Sequence, residues 1–205
     1  MMIHKVATVY DLDVKTLPAE FRSVLTRQEV KALRAGPEYF ATLAGPDAPA
    51  WLQKVLVECS ESEVTLEFDA WGDRPWMPYF RFSWQGGPAI SLPRTKKMRS
   101  DVPAFLRRVY SVIRSFKENG FDMAGGLMAA SSLDLISNSG MWVSPDGPVD
   151  PKTAVPFLET FTGNYLCYLT DGGGAWLESC EFRRVKNLER EVARYFEALI
   201  KGTRI

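Results

Sequence analysis

Three consecutive glycines, Gly172-Gly173-Gly174, preceded by Asp171, constrain this chain more than any other feature. A run of apolar and aromatic residues, Tyr165 to Leu169, precedes them, and Ala175-Trp176-Leu177-Glu178 follows. Both flanks read as strands, and glycine's access to positive φ makes the break between them a tight hairpin turn. A phosphate-binding loop would need Gly-Lys-Ser/Thr leading into a helix, so that backbone amides and a lysine meet the phosphates; here a strand pattern follows instead. Beyond the hairpin, Asn187 predicts the N-cap of a closing helix. Leu188, Val192, Phe196 and Leu199 share one face of it, Tyr195 and Ile200 lie at the edges, and Gly202 is its stop.

The rest of the chain mixes the two periods. Residues 3–10 read as an opening strand. Helical spacing follows at Phe21, Val24 and Leu25, then at Val30 and Leu33, with Gly36-Pro37 as a stop, and a further helix is expected from Pro49 to about Val57. Val64, Leu66, Phe68 and Ala70 alternate with polar residues, as do Phe80, Phe82 and Trp84, so two antiparallel strands are expected around the breakers Gly72 to Pro75. The spacing of Val102, Phe105, Leu106, Val109, Val112, Ile113 and Phe116 predicts a long helix, with Asp101 as N-cap, Pro103 in the first turn and Asn119-Gly120 as the end. Residues 125–144 fit strand or short helix, and residues 145–151 read as a surface loop. Together these patterns predict an α+β fold, a mostly antiparallel sheet with helices packed on it. Residues 1–205 form one domain in this reading, or residues 1–90 extend a core at 91–205.

Composition narrows the chemistry. The 205 residues carry 25 basic and 25 acidic side chains, so the net charge of zero gives the whole molecule no electrostatic reason to seek nucleic acid or anionic lipid. Cys59, Cys167 and Cys180 are an odd count at irregular spacing, which argues against a disulfide framework or a zinc site and for a reducing compartment. No apolar run approaches the roughly 20 residues of a membrane span or forms a signal segment, so a cytoplasmic, soluble protein is expected. His4 is the sole histidine, which leaves no room for a Ser-His-Asp triad or a multi-histidine metal site unless His4 serves alone.

Two charged tracts and an aromatic cluster remain. Arg94, Lys96, Lys97, Arg99, Arg107, Arg108, Arg114 and Lys117 accompany a single acid, Asp101; without interleaved aromatics they read as a solvated helix face, or as a surface for an acidic protein or a nucleic acid. Glu58, Glu61, Glu63, Glu67, Asp69 and Asp73 form an acidic tract, with Glu67 and Asp69 on the polar side of a strand, ~7 Å apart. This tract reads as a solvated sheet face, as a carboxylate pair for metal or acid/base work, or as an acidic patch that steers a basic partner into place. Trp71 and Tyr79, out of phase with the buried aromatics, suit a protein–protein hot spot.

Gly163-Asn164-Tyr165-Leu166-Cys167-Tyr168, the glycine turn, and a final helix containing Val192-Ala193, Phe196-Glu197 and Leu199-Ile200 resemble the end of SUKH superfamily domains, bacterial immunity proteins related to a yeast cell-wall regulator. Pro103, Leu106, Arg107 and Tyr110 also look like that family's Pro-x-x-Leu-Arg-x-x-Tyr helix. The likeness covers roughly residues 100 to 202; the family's Asn-Gly-Gly follows its tyrosine sooner than Asn119-Gly120 does here. The resemblance implies a non-enzymatic protein without cofactor or metal, which binds a cognate toxin of nuclease or deaminase type and blocks it sterically. Because basic nuclease sites favour acidic mimics, the expected contact surface is Glu61, Glu63, Glu67, Asp69, Trp71, Asp73 and Tyr79. The alternatives are a small carboxylate-dependent hydrolase using Glu67, Asp69 or Asp73, and a general protein-binding adaptor. Convergence of those acids in a deep cleft would favour the enzyme; spread over an open face would favour binding.

Overall fold

Two antiparallel meanders hold all the strands described. The computed structural model describes residues 2–8, 13–46, 48–70, 76–84, 87–94, 98–117, 125–144 and 147–203, with the backbone alone for 2–8, 69 and 70. The first sheet runs β1 (Met2–Thr8), β2 (Val64–Ala70), β3 (Met77–Phe82), β4 (Ala89–Ser91) and β5 (Ser115–Lys117), each beside the next. The second repeats the pattern with β6 (Gly126–Leu127), β7 (Ala154–Glu159), β8 (Tyr165–Leu169), β9 (Gly174–Glu178) and β10 (Glu181–Val185). The α+β class is as expected, with the strands divided between two sheets.

Helices α1 (Ala19–Val24), α2 (Arg27–Ala35), α3 (Glu38–Leu43) and α4 (Ala50–Ser60) lie in the chain between β1 and β2; α5 (Ala104–Val112) precedes β5, and α6 (Leu188–Ile200) closes the fold. Their ends follow local chemistry. Thr26 and Glu29 form a reciprocal capping box on α2, which stops at Gly36 with φ 73°. Pro18, Pro37, Pro49 and Pro103 stand at the N-caps of α1, α3, α4 and α5. Asn187 caps α6, its side chain accepting from the Arg190 amide.

The inward phase of β2 and β3 supplies the core. Phe21 of α1 stacks on Phe68 with centroids 4.4 Å apart, and Phe40 of α3 sets an edge against Phe80 and Phe82 at 5.1 and 4.8 Å. Helix α6 joins this layer to the second sheet. Phe196 stacks on Trp51 of α4 at 4.3 Å and meets Phe116 of β5 at 5.1 Å, while Glu191 accepts the indole N–H of Trp176 in β9. One hydrophobic cluster therefore runs from Leu17 to Leu199, and the first ninety residues share it with the rest. The opposite face of the second sheet carries a smaller cluster that includes Ile136, Val149, Cys167, Leu177 and Phe182.

The helix expected from Asp101 to Asn119 is shorter than its apolar spacing predicts. It ends at Val112, and Ile113 is already extended (φ −129°, ψ 144°). Two β-branched residues, Val112 and Ile113, stand where the helix gives out. Pairing with β4 places Phe116 opposite Ile90, and the buried hydroxyls of Ser91 and Ser115 meet at 2.6 Å. Asn119-Gly120 lie outside the described residues. Asp101 does not cap the helix; its carboxylate takes the Arg99 guanidinium instead. In the ambiguous 125–144 stretch, β6 is followed by single 3-10 turns at Ala130–Ser132 and Ile136–Asn138. The edges of the two sheets meet at Gly126, where a Cβ would stand 2.0 Å from the Phe116 carbonyl oxygen. That close approach, with φ 132°, requires glycine.

Candidate functional site

The residues expected to form one acidic contact surface are divided along β2. Glu61 is the C-cap of α4 and Glu63 precedes the strand; both are exposed. Asp69 sits near the far end, six residues beyond Glu63, or ~20 Å along an extended strand. Of Asp69 only the backbone is described, and Trp71 and Asp73 lie outside the described residues.

Glu67, midway, overturns the reading of a solvated acidic face. It is 7% exposed, and Arg81 grips both its oxygens: Nε donates to Oε1 at 2.7 Å and Nη2 lies 2.7 Å from Oε2. The register explains this, because Glu67 opposes Tyr79 and so stands diagonal to Arg81 on the same face. A carboxylate held bidentately is a structural tie, unfit for acid/base work and closed to a partner. Tyr79 stays half-exposed, with the Lys117 ammonium 4.3 Å from its ring centroid. Among the described residues no group of three His, Cys, Asp or Glu side chains could hold a metal ion.

The basic tract is a solvated helix face only at Arg107 and Arg108, which are exposed on α5; its other described members are half-buried. Nη2 of Arg94 donates to the Val24 carbonyl at 2.7 Å and to both oxygens of buried Glu29 at 3.1 Å. Arg99 pairs with Asp101 at 2.7 Å, Arg107 donates to the Val102 carbonyl, and Arg108 reaches Glu189 at 3.4 Å. Lys96 and Lys97 lie outside the described residues. Arg94, Arg99 and Arg114 line one cavity of about 430 Å³ between β3, α5 and the 130–133 turn.

A third region, which the sequence reading did not single out, is the most exposed aromatic surface described. Trp142 is 72% exposed and Phe161 43%. The alternating hairpins put the β7–β8 turn at 160–164 and the Ser179-Cys180 turn between β9 and β10 at the same end of the second sheet. At the β9–β10 turn the Ser144 amide donates to the Cys180 carbonyl at 3.0 Å, and near the other end of β10 Arg184 Nε donates to the Pro148 carbonyl at 3.1 Å. Met141 and Val143 pack into the smaller hydrophobic cluster on either side of Trp142. The backbone is thus anchored while the indole projects. Nearby Glu178 and Arg183 pair at 3.0 Å and line a shallow cavity of about 190 Å³ with Thr160 and Asn164. The signal in the sequence was a lone tryptophan in a Ser/Asn/Gly-rich stretch, with no periodic apolar partners to bury it.

No model of a known protein family, no curated protein and no solved structure matches the chain. Among the described residues, no helix is long and apolar enough to cross a membrane.

Proposed function

We propose that this chain is a non-enzymatic binding protein of the immunity kind that its C-terminal motifs resemble, one that captures a bacterial toxin, of nuclease or deaminase type, and blocks it sterically. The observation that carries the reading is Trp142, 72% exposed between Met141 and Val143, which are partly buried against the smaller hydrophobic cluster. Exposed apolar surface rimmed by polar residues marks interaction sites, and tryptophan is among the side chains enriched at binding hot spots. Phe161 at the same end, with the Glu178–Arg183 pair beside it, supplies the apolar centre and polar rim of such an interface. The contact surface moves from the acidic strand, where Glu67 is already spent on Arg81, to this end of the second sheet.

The test is co-expression with the product of the neighbouring open reading frame. That product is expected to arrest growth alone and to be relieved by this protein. The reading fails if no neighbouring product is toxic and none is retained in a pull-down.

A further inference from the structure

Arg114 differs from the other described arginines of the basic tract, each of which is spent on a carboxylate or a backbone carbonyl. Its Nη1 donates to the Met77 Sδ at 3.2 Å, a weak acceptor, and its Nη2 to the Ser131 hydroxyl at 3.0 Å. No carboxylate lies within ion-pair distance of it among the described residues. Burial pulls its pKa below the ordinary arginine value, with the Arg94 charge adding to that and the Glu29 charge opposing it. It remains a cation, and a partly dehydrated one.

The cavity it lines measures about 430 Å³, within the size range of small-molecule sites. Met77, Met98 and Leu133 give it apolar walls, and Arg94 and Arg99 at its rim are matched by Glu29 and Asp101. Among the described residues the lining thus has one uncompensated positive charge. Ser131 accepts from Arg114 and keeps its own proton to donate.

We infer that this cavity binds a small amphiphilic monocarboxylate, its head on the Arg114 guanidinium and the Ser131 hydroxyl, its apolar body against Met77, Met98 and Leu133. A guanidinium fork matches a carboxylate edge to edge. Charge counting favours the monoanion, since among the described residues the other two cations of the lining, Arg94 and Arg99, already face Glu29 and Asp101. The inference is independent of the toxin-binding reading, because the cavity draws on β3, α5 and the 130–133 turn rather than on the Trp142 loop.

The experiment is calorimetric titration of the full chain with sodium octanoate, octyl phosphate and 1-octanol. Octanoate is expected to bind saturably, octyl phosphate more weakly and octanol not at all. Arg114→Met should weaken octanoate binding roughly ten- to hundredfold, the loss of a charge-assisted hydrogen-bond pair. Ala130→Phe, which fills the cavity and leaves the arginine in place, should abolish it and decides the matter if Arg114→Met does not fold. Absence of saturable octanoate binding, octanoate binding that survives Ala130→Phe, or tighter binding of octyl phosphate would each overturn the inference.

Discussion

Glu29 and Glu67 are the two described carboxylates that folding takes almost wholly out of water, and each leaves it in the grip of an arginine. Neither pair could be read from the sequence. Glu67 sits in an alternating strand whose polar phase ordinarily faces solvent, and its partner lies fourteen positions away across a register that only the fold sets. Glu29 looks like an ordinary capping-box acid, and that role is real, since it accepts from the Thr26 amide at 2.6 Å. Its second role depends on Arg94, sixty-five positions on. The two kinds of arginine pair should separate cleanly in urea unfolding. Arg94→Met strands a carboxylate that is 1% exposed and is expected to cost ~2–4 kcal/mol, whereas Arg99→Met opens a surface pair and should cost less than ~1 kcal/mol. The smaller effect carries a pH signature. The Arg99 hydrogen bond is the largest influence holding the Asp101 carboxyl below its usual range, against the opposing push of burial. A depressed folded-state pKa contributes stability that is present above the unfolded value of about 4 and is lost as pH falls through the folded value. The gap between wild type and Arg99→Met should therefore close in acid.

Elements were legible where their cause is local. The Gly172-Gly173 turn, the Asn187 cap and the alternation in β2 and β3 are decisions taken within a few residues, and they hold. Strand β7 is not of that kind. Its first five residues are buried, so it shows no alternation, and Pro156 argues against a strand; the chain tolerates it at a register shift between Pro156 and Leu158. Strand β5 is decided by β4 and Phe196, which local spacing cannot see. The β9–β10 turn shows a different mismatch. Ser179 and Cys180 both hold positive φ, 49° and 70°, in a two-residue hairpin that favours Asn-Gly. Replacing the pair, Ser179→Asn with Cys180→Gly, should raise stability by ~1 kcal/mol in thermal or urea unfolding. An unchanged or lowered stability would mean that the Ser144–Cys180 contact, not the turn conformation, governs this end of the sheet.

At the scale of the whole molecule, the sequence left open whether residues 1–90 extend a separate core. The stack of Trp51 on Phe196 and the edge contact of Phe196 with Phe116 tie the N-terminal helices, the first sheet and the closing helix into one cluster. This packing buries the strands beside the glycine turn and the apolar face of α6 as scaffold, and leaves the opposite end of the second sheet to present Trp142. The candidate site was less legible than the fold because exposure is a property of the assembled surface. Acidic residues adjacent in sequence proved to be paired or divided between the two ends of a strand. The most direct measurement is a titration of the purified chain against the purified neighbouring gene product, with Trp142→Ala alongside. Saturable binding is expected, which Trp142→Ala weakens at least tenfold, with unfolding stability unchanged because the indole packs against little. An affinity indifferent to Trp142, or no binding at all, would contradict that expectation.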